Sequence, residues 1–357
     1  MEPNNRTTHT VTEFLITGLD EVQHPKVVGL AILLVLFLIL IGSITNICVI
    51  AFNKPLHTPM YFFICSLAVV DIVYTSGISV TMLNVLLGEE RRVPYAPCMI
   101  QCFLFHFGSS MEPFAIALMA YDRLIAISYP LRYQTILTNT NVCLLIIANW
   151  ALGCMFASLL TGLVNNLPFC GSNKLPYSFC EYANLIRASC VNLSHYFNAI
   201  SALGTAVLWV TLALIIISYM KIVYVVIQMS SSKDRRKTFN TCVSHMIVVA
   251  CFFIPKVLII LVTRTLDYII VAVLKIASTK GCLKTLSICN GQLIIIALYI
   301  LPRICIYLSS NTGIRFSTDL HIVIIMLYSL LPPMINLLIY CFKTKDMKQS
   351  LMKRFKR

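Results

Sequence analysis

The chain has 357 residues, 58% of them hydrophobic and 12% charged, with a formal net charge of +14. So few charges cannot coat a soluble globule of this size, so the implied solvent is the membrane. The positive balance does not point to nucleic acid, because the basic residues cluster at Lys54, at Arg132, at Lys233 to Lys237, and in a tail carrying Lys343, Lys345, Lys348, Lys353, Arg354, Lys356 and Arg357.

Residues 1–26 are polar and acidic and lack the basic start and short apolar core of a signal peptide, so the first helix is expected to act as the targeting signal. "NRT" at Asn5 is a glycosylation acceptor if this segment is lumenal, and an unused sequon otherwise. A hydrocarbon core about 30 Å thick takes roughly 20 apolar residues per helix. Residues 27–53, 133–173, 188–220 and 320–342 exceed that without a charge. Apolar runs between charged or Pro/Gly-rich loops predict helices near 27–52, 59–87, 98–126, 140–164, 196–228, 238–263 and 319–341. The basic clusters place the N-terminal segment 1–26 outside, the bundle over 27–341, and the tail 342–357 in the cytoplasm. That tail, "KTKDMKQSLMKRFKR", reads either as a short amphipathic helix on anionic membrane lipid or as a solvated end.

Between the last two helices the chain repeats itself. "KTFNTCVSHMIVVACFFIPK" (237–256) recurs imperfectly as "KTLSICNGQLIIIALYILPR" (284–303), at a constant offset of 47 residues. The likeness extends back to 218–237 and 267–284, so the unit is the end of helix five, the loop after it and helix six. Two copies do not make a solenoid; they make a local tandem duplication, an insert of about 266–312. With the two ends on opposite sides, the number of crossings is odd, so the insert adds two crossings or none. The leading run of the second copy, "YIIVAVLKIA", is ten residues, or about 15 Å of helix, roughly half the core. One copy is therefore expected to pack irregularly. Both cannot occupy the place of helix six: the first carries the basic cuff Lys233–Lys237 with Thr241 and His245, the second has Ile288 and Gln292 there and runs directly into helix seven.

Ionisable groups inside a membrane helix are functional candidates. Here they are Asp71 in helix two, Glu112 in helix three, and the Asp122–Arg123 pair at the end of helix three, with amides Asn46 and Asn336 in helices one and seven. They can form one network holding water or Na⁺, or serve as interhelical contacts worth roughly 0.6 to 2 kcal/mol each. Four cysteines fall outside by topology, Cys98, Cys170, Cys180 and Cys190, and four allow three pairings. The other eleven read as small apolar packing residues rather than metal ligands. No zinc-spaced cluster, phosphate-cradling Gly-rich loop or activated nucleophile is present in the sequence, so neither an enzyme nor a cofactor is expected.

"PMYFFICSLAVVDIVYTS" (59–76), "MAYDRLIAISYPLRY" (119–133), "SY" (218–219), "KTFNTCVSHM" (237–246) and "PPMINLLIYCF" (332–342) resemble the signature segments of the odorant receptors, a branch of the rhodopsin-like G-protein-coupled receptors. The likeness runs from "TEFLITGL" (12–19) to the tail. It implies an all-α, multi-span transmembrane bundle with a seven-helix receptor core at the plasma membrane, binding a small-molecule odorant and activating a stimulatory heterotrimeric G protein that raises cyclic AMP. It implies that Asp122 holds Arg123 at rest and releases it on activation, that Tyr219 and Tyr340 turn inward, and that Asn336 belongs to the same switch. It implies the pairs Cys98–Cys180 and Cys170–Cys190, and a pocket in the outer half between helices three, five, six and seven, which is typically apolar with a few polar groups. The candidates there are Phe105, His106, Ser109 and Ser110 on helix three and Leu203, Gly204 and Val207 on helix five. His106 is either a ligand donor or a buried histidine satisfied by a neighbour.

The alternatives are a nonfunctional relative retained in the endoplasmic reticulum because of the duplication, and a transporter, which a local tandem repeat disfavours. Leu124 and Ser128 stand where the family usually has Tyr and Cys, without evident consequence. Leu337 is a sharper departure, since the family has Asn-Pro where this chain reads "NLLIY". A proline deletes a backbone hydrogen bond and bends the helix, so Leu337 should stiffen a turn that must rearrange. Leu337→Pro is expected to raise the maximal signalling response; unaltered dose–response curves would contradict this.

Overall fold

The computed structural model describes residues 11–257, apart from 21, 89, 170–172, 176–177, 191–192, 237, 240–241, 244 and 255. Asn5, Cys170, the second copy of the repeat, the expected seventh helix with Asn336, Leu337 and Tyr340, and the basic tail lie outside the described residues.

Helices begin where the sequence supplies a start and a long apolar run follows. Pro25 opens α1 (Pro25–Phe52) and Pro59 opens α2 (Pro59–Leu87), each at a first-turn position where a missing N–H costs nothing. The end of α1 is closed by His57, whose ring nitrogen lies 3.0 Å from the Ile50 carbonyl. α3 (Tyr95–Ser128) has 34 residues, about 50 Å of helix, longer than the hydrocarbon core it must cross. A loop with the one-turn helix α4 (Tyr133–Ile136) leads to α5 (Asn139–Asn165), whose N-cap Thr138 accepts a 3.2 Å hydrogen bond from the Asn141 N–H. α6 (Tyr182–Ala188) lies in the loop before α7 (Leu193–Gln228), and the last described helix is α8 (His245–Ile254). Five of these, α1, α2, α3, α5 and α7, are long and apolar enough to cross a membrane.

The helices run up and down, so the bundle has one end with the Cys98–Cys180 disulfide and another with Asp122–Arg123. α3 is the central element, packed against α2, α5 and α7. In its most apolar window 61% of residues are buried, against 17% in α5 and α7. The outer faces remain apolar: Leu30, Leu34, Phe37 and Ile44 on α1 and Val210, Leu214, Ile217 and Ile227 on α7 are all exposed. In water such stripes would be a liability; in lipid they are the contact surface.

Two glycines let α3 be approached closely. A Cβ on Gly108 would meet Tyr74 Cβ of α2 at 2.6 Å, and one on Gly153 of α5 would meet Met111 Sδ of α3 at 2.6 Å. The resulting core forms two main clusters, one at each end, and a smaller third of Val70, Phe107, Met111 and Ala157.

The sequence predicts only helices, and the structure adds a small sheet at the disulfide end. β1 (Glu13–Ile16) pairs antiparallel with β2 (Arg92–Pro94) and parallel with β3 (Lys174–Leu175), with Phe14 opposite Val93 and Leu15 opposite Lys174. Alternation sends Phe14 and Ile16 into the core, where Phe14 meets the Phe169 ring at 5.2 Å. The segment before α1 is thus part of the fold over residues 13–16.

Of the two candidate sixth helices, the first copy lies against α3. Val248, Val249, Phe252 and Phe253 join the cluster at the Asp-Arg end. Gly108→Ala should overpack the α2–α3 contact and lower stability by about 1–3 kcal/mol. Gly162→Ala, where a Cβ would meet nothing within 4 Å, should cause no loss. Thermal unfolding of the detergent-purified chain checks both.

Candidate functional site

At the foot of α3, the Asp122 carboxylate is divided between two partners. Its Oδ2 lies 3.8 Å from Arg123 Nε, an ion pair without a hydrogen bond, while Oδ1 accepts a 2.7 Å hydrogen bond from the Tyr133 hydroxyl of α4. Burial, and then the neighbouring Asp122 charge, push the Tyr133 phenol up from its ordinary value, so the hydroxyl keeps its proton and remains a donor. Arg123 is itself nearly buried, and its positive charge lies within electrostatic range of Tyr219, Cys242 and His245.

Nearly two turns deeper, three helices meet at a histidine. The Tyr219 hydroxyl of α7 lies 2.7 Å from His245 Nδ1, with the two rings stacked at 5.8 Å, and His245 Nε2 lies 3.2 Å from the Ile116 carbonyl of α3. One tautomer satisfies both contacts: Nε2–H donates to Ile116, and Nδ1 accepts from Tyr219. α8 is thereby tied to α3 and α7 through a single side chain.

Midway along the bundle lie Asn46, Asp71 and Glu112, all buried. Asp71 and Glu112 are close enough to interact electrostatically. Glu112 is engaged from α8's side by Lys256, whose Nζ lies 3.9 Å from Glu112 Oε2 and 3.6 Å from the centre of the Phe252 ring. Among the described residues, no group of three or more His, Cys, Asp or Glu converges as a metal site.

Toward the disulfide end an aromatic roof forms. Phe105 lies 5.9 Å from Tyr74 and 5.5 Å from Phe179, and His106 lies 5.2 Å from Phe105 and 6.0 Å from Tyr182. The Tyr182 hydroxyl donates to the Tyr196 carbonyl at 3.3 Å, linking α6 to α7. Ser110 spends its hydroxyl on the Phe107 carbonyl at 2.9 Å, and Ser109 is half-buried. On α7, Leu203 packs on the cluster of this end, Val207 is half-buried, and Gly204 lies on the exposed face with open space where a side chain would begin.

The loop above is fixed covalently and by an amide. Cys98 is bonded to Cys180, and Gln101 accepts from the Cys180 N–H at 2.9 Å while donating to the Gly77 carbonyl of α2 at 2.9 Å. Cys190 is disulfide-bonded as well; its implied partner, Cys170, lies outside the described residues.

A polar cluster lies at one end, an aromatic cluster under a tethered loop at the other, and a central helix joins them; comparison with known proteins supplies the family. The family model described as "Olfactory receptor" matches residues 32–267 and 257–357. The chain belongs to the olfactory receptor family. It is 33% identical to Olfactory receptor 5p57 of Mus musculus over 356 residues, covering 99% of this chain and 97% of that one. It is 36% identical to Olfactory receptor 10D3 of Homo sapiens over 258 residues, 70% of this chain and 81% of that one, and 29% identical to Olfactory receptor 10A6 of Homo sapiens over 361 residues, 100% and 98% of the two. Olfactory receptors are seven-helix G-protein-coupled receptors, not enzymes, and the chain is a multi-pass membrane protein whose family implies an odorant ligand and G-protein coupling. The two matched segments of this olfactory receptor meet at 257–267, at the end of the first copy of its repeat.

Three residues with a role in this geometry are not among the sequence candidates: Tyr133, Gln101 and Lys256. Tyr133→Phe removes the 2.7 Å hydrogen bond and leaves a buried carboxylate oxygen without its donor, a cost of about 1–3 kcal/mol. That weakens the charged form of Asp122 that holds Arg123. The variant is expected to raise ligand-independent G-protein activation several-fold at equal surface amount; an unchanged or lowered basal signal would refute this.

Proposed function

We propose that this receptor binds a small odorant beneath the loop at the disulfide end and, on binding, activates a stimulatory heterotrimeric G protein, raising cyclic AMP. The observation that carries the reading is the Asp122–Arg123 ion pair together with, in electrostatic range of Arg123, the hydrogen bonds that run from Tyr219 through His245 to the Ile116 carbonyl. All of these contacts are non-covalent, so an outward movement of the sixth helix that breaks them gives two states for a ligand to bias. In this reading Arg123 leaves Asp122 on activation, and Tyr219, Asn336 and Tyr340 rearrange around it. Asn46, Asp71 and Glu112 are the buried polar groups coupling the two ends, and Phe105, His106, Ser109, Ser110, Leu203, Gly204 and Val207 mark the pocket's level.

The disulfide end faces outward and the Asp-Arg end faces the cytoplasm of the cell whose plasma membrane holds the receptor. Two facts support this orientation. A disulfide at Cys98–Cys180 belongs in an oxidising compartment. The loops carrying Lys54, Arg132 and Lys233 all follow helix ends opposite to it, as the positive-inside rule requires of cytoplasmic loops.

The internal repeat favours a second reading, a relative held in the endoplasmic reticulum because its insert disturbs the bundle. Epitope tags before Glu2 and after Arg357, probed on intact cells for the full chain and for a version lacking 266–312, separate the two. Surface display of the N-terminal tag alone on both supports the receptor reading, and display only by the shortened chain supports retention. Given display, Arg123→Ala should reduce odorant-driven cyclic AMP by at least about tenfold, with the surface amount unchanged. A full response from this variant would exclude the proposed switch.

A further inference from the structure

Between residues 246 and 263, Lys256 is the single charged side chain. A lone ammonium in an apolar stretch just past α8 needs a reason beyond helix packing. Its position supplies one. Residues 105, 109, 112 and 116 follow the helical spacing that puts them on one face of α3, and this face meets α8 at the two contacts already described, Ile116 with His245 and Glu112 with Lys256. Lys256 thus stands at the floor of a stripe whose next groups upward are the Ser109 hydroxyl, one turn above Glu112, and the Phe105 ring with its neighbour Phe179.

The two members of the ion pair are not equally reachable. The Lys256 side chain is 27% exposed and that of Glu112 only 6%. The more accessible of the two groups is therefore the ammonium, with the carboxylate behind it. We propose that Lys256 is the anchor for an anionic odorant: a small carboxylic acid, bound as carboxylate at the ammonium, with its alkyl tail running along α3 toward Phe105 and Phe179. An ammonium carries three donors, so it can serve the ligand and Glu112 together. An amine ligand would have to pass the like charge of Lys256 to reach Glu112, and a neutral alcohol would leave the ammonium with no new counter-charge. Phe252, beneath the ammonium at 3.6 Å, holds it in place without competing for its hydrogen-bond donors.

This inference rests on the odorant-receptor reading for its biological sense, but the site can be tested without the G protein. The detergent-purified full chain is heated with sodium octanoate, with octanol and with octylamine, and the unfolding midpoint is followed against ligand concentration. Octanoate should raise the midpoint, whereas octanol and octylamine should do so weakly or not at all. Lys256→Arg should retain the effect. Lys256→Met should weaken octanoate binding about tenfold to a hundredfold. Because Lys256→Met alone leaves Glu112 without its cation, the double variant Glu112→Gln with Lys256→Met removes the charges together and should show the same loss in a folded protein. The proposal is overturned if octanol matches octanoate, if the Met variants bind octanoate like the original chain, or if octanoate and its shorter straight-chain homologues give no shift. Octanoate binding with no rise in cyclic AMP would instead count against the signalling reading and leave the anion site standing.

Discussion

A polar side chain surrounded by lipid and apolar protein can be satisfied only by another part of the chain, and α3 buries Gln101, His106, Ser110, Glu112 and Asp122 along its length. The rest of the architecture follows from where their partners come from. Gln101 reaches α2 and the loop at Cys180, Glu112 reaches Lys256 beyond α8, and Asp122 reaches Tyr133 in α4. An apolar α3 of the same length would pack as closely and specify far less, since apolar contacts tolerate sliding by a turn and hydrogen-bonded pairs do not. Gly108 lets α2, which accepts from Gln101, lie close against α3.

The two ends of α3 are held by bonds of different kinds. At one end a covalent bond closes a segment with sequence separation 82, reinforced by an amide with two partners. Removing such a disulfide typically costs about 2–5 kcal/mol, so that end moves as one body with its loop. At the other end an ion pair at 3.8 Å, a phenol and a histidine share the work. None of those contacts is covalent. The contacts that tie α8 to α3 are likewise all non-covalent, whereas the disulfide end is tied to its loop by a covalent bond.

The spans were legible because the bilayer imposes a length that few sequences meet by accident. Helices predicted near 27–52 and 59–87 are observed at Pro25–Phe52 and Pro59–Leu87, and the predicted 98–126 grows to Tyr95–Ser128 because its ends leave the apolar region, where hydropathy gives no signal. The sheet was not legible: strands of two to four residues pair across the chain, and nothing in "EFLI" or "KL" names a partner. Asp122 and Arg123 stood out as charges in an apolar run, yet Tyr133 did not, since a tyrosine after a loop carries no such mark. Gln101 and Lys256 are a different kind of omission. The rule that singles out Asp71 and Glu112 applies equally to an amide or an ammonium in a membrane helix, and both residues satisfied it.

Why the first copy of the repeat, rather than the second, should lie on α3 can be argued from the same contacts. Aligned at the offset of 47, the second copy would place Gln292 at His245, Ile295 and Ile296 at Val248 and Val249, Ile300 at Phe253 and Arg303 at Lys256. An amide can replace the hydrogen bond to the Ile116 carbonyl but not the ring stacked on Tyr219. Arg303 would keep a cation beside Glu112, so the charge alone does not discriminate. Packing does. Val248 and Val249 are buried in the cluster shared with α3 and α7, and an added methylene at each would cost roughly 1–3 kcal/mol in a core without slack. The loss of the Phe253 ring would leave a void nearby at a comparable cost. The basic residue after the proline is common to both copies, but the shape that lets it approach Glu112 belongs to the first.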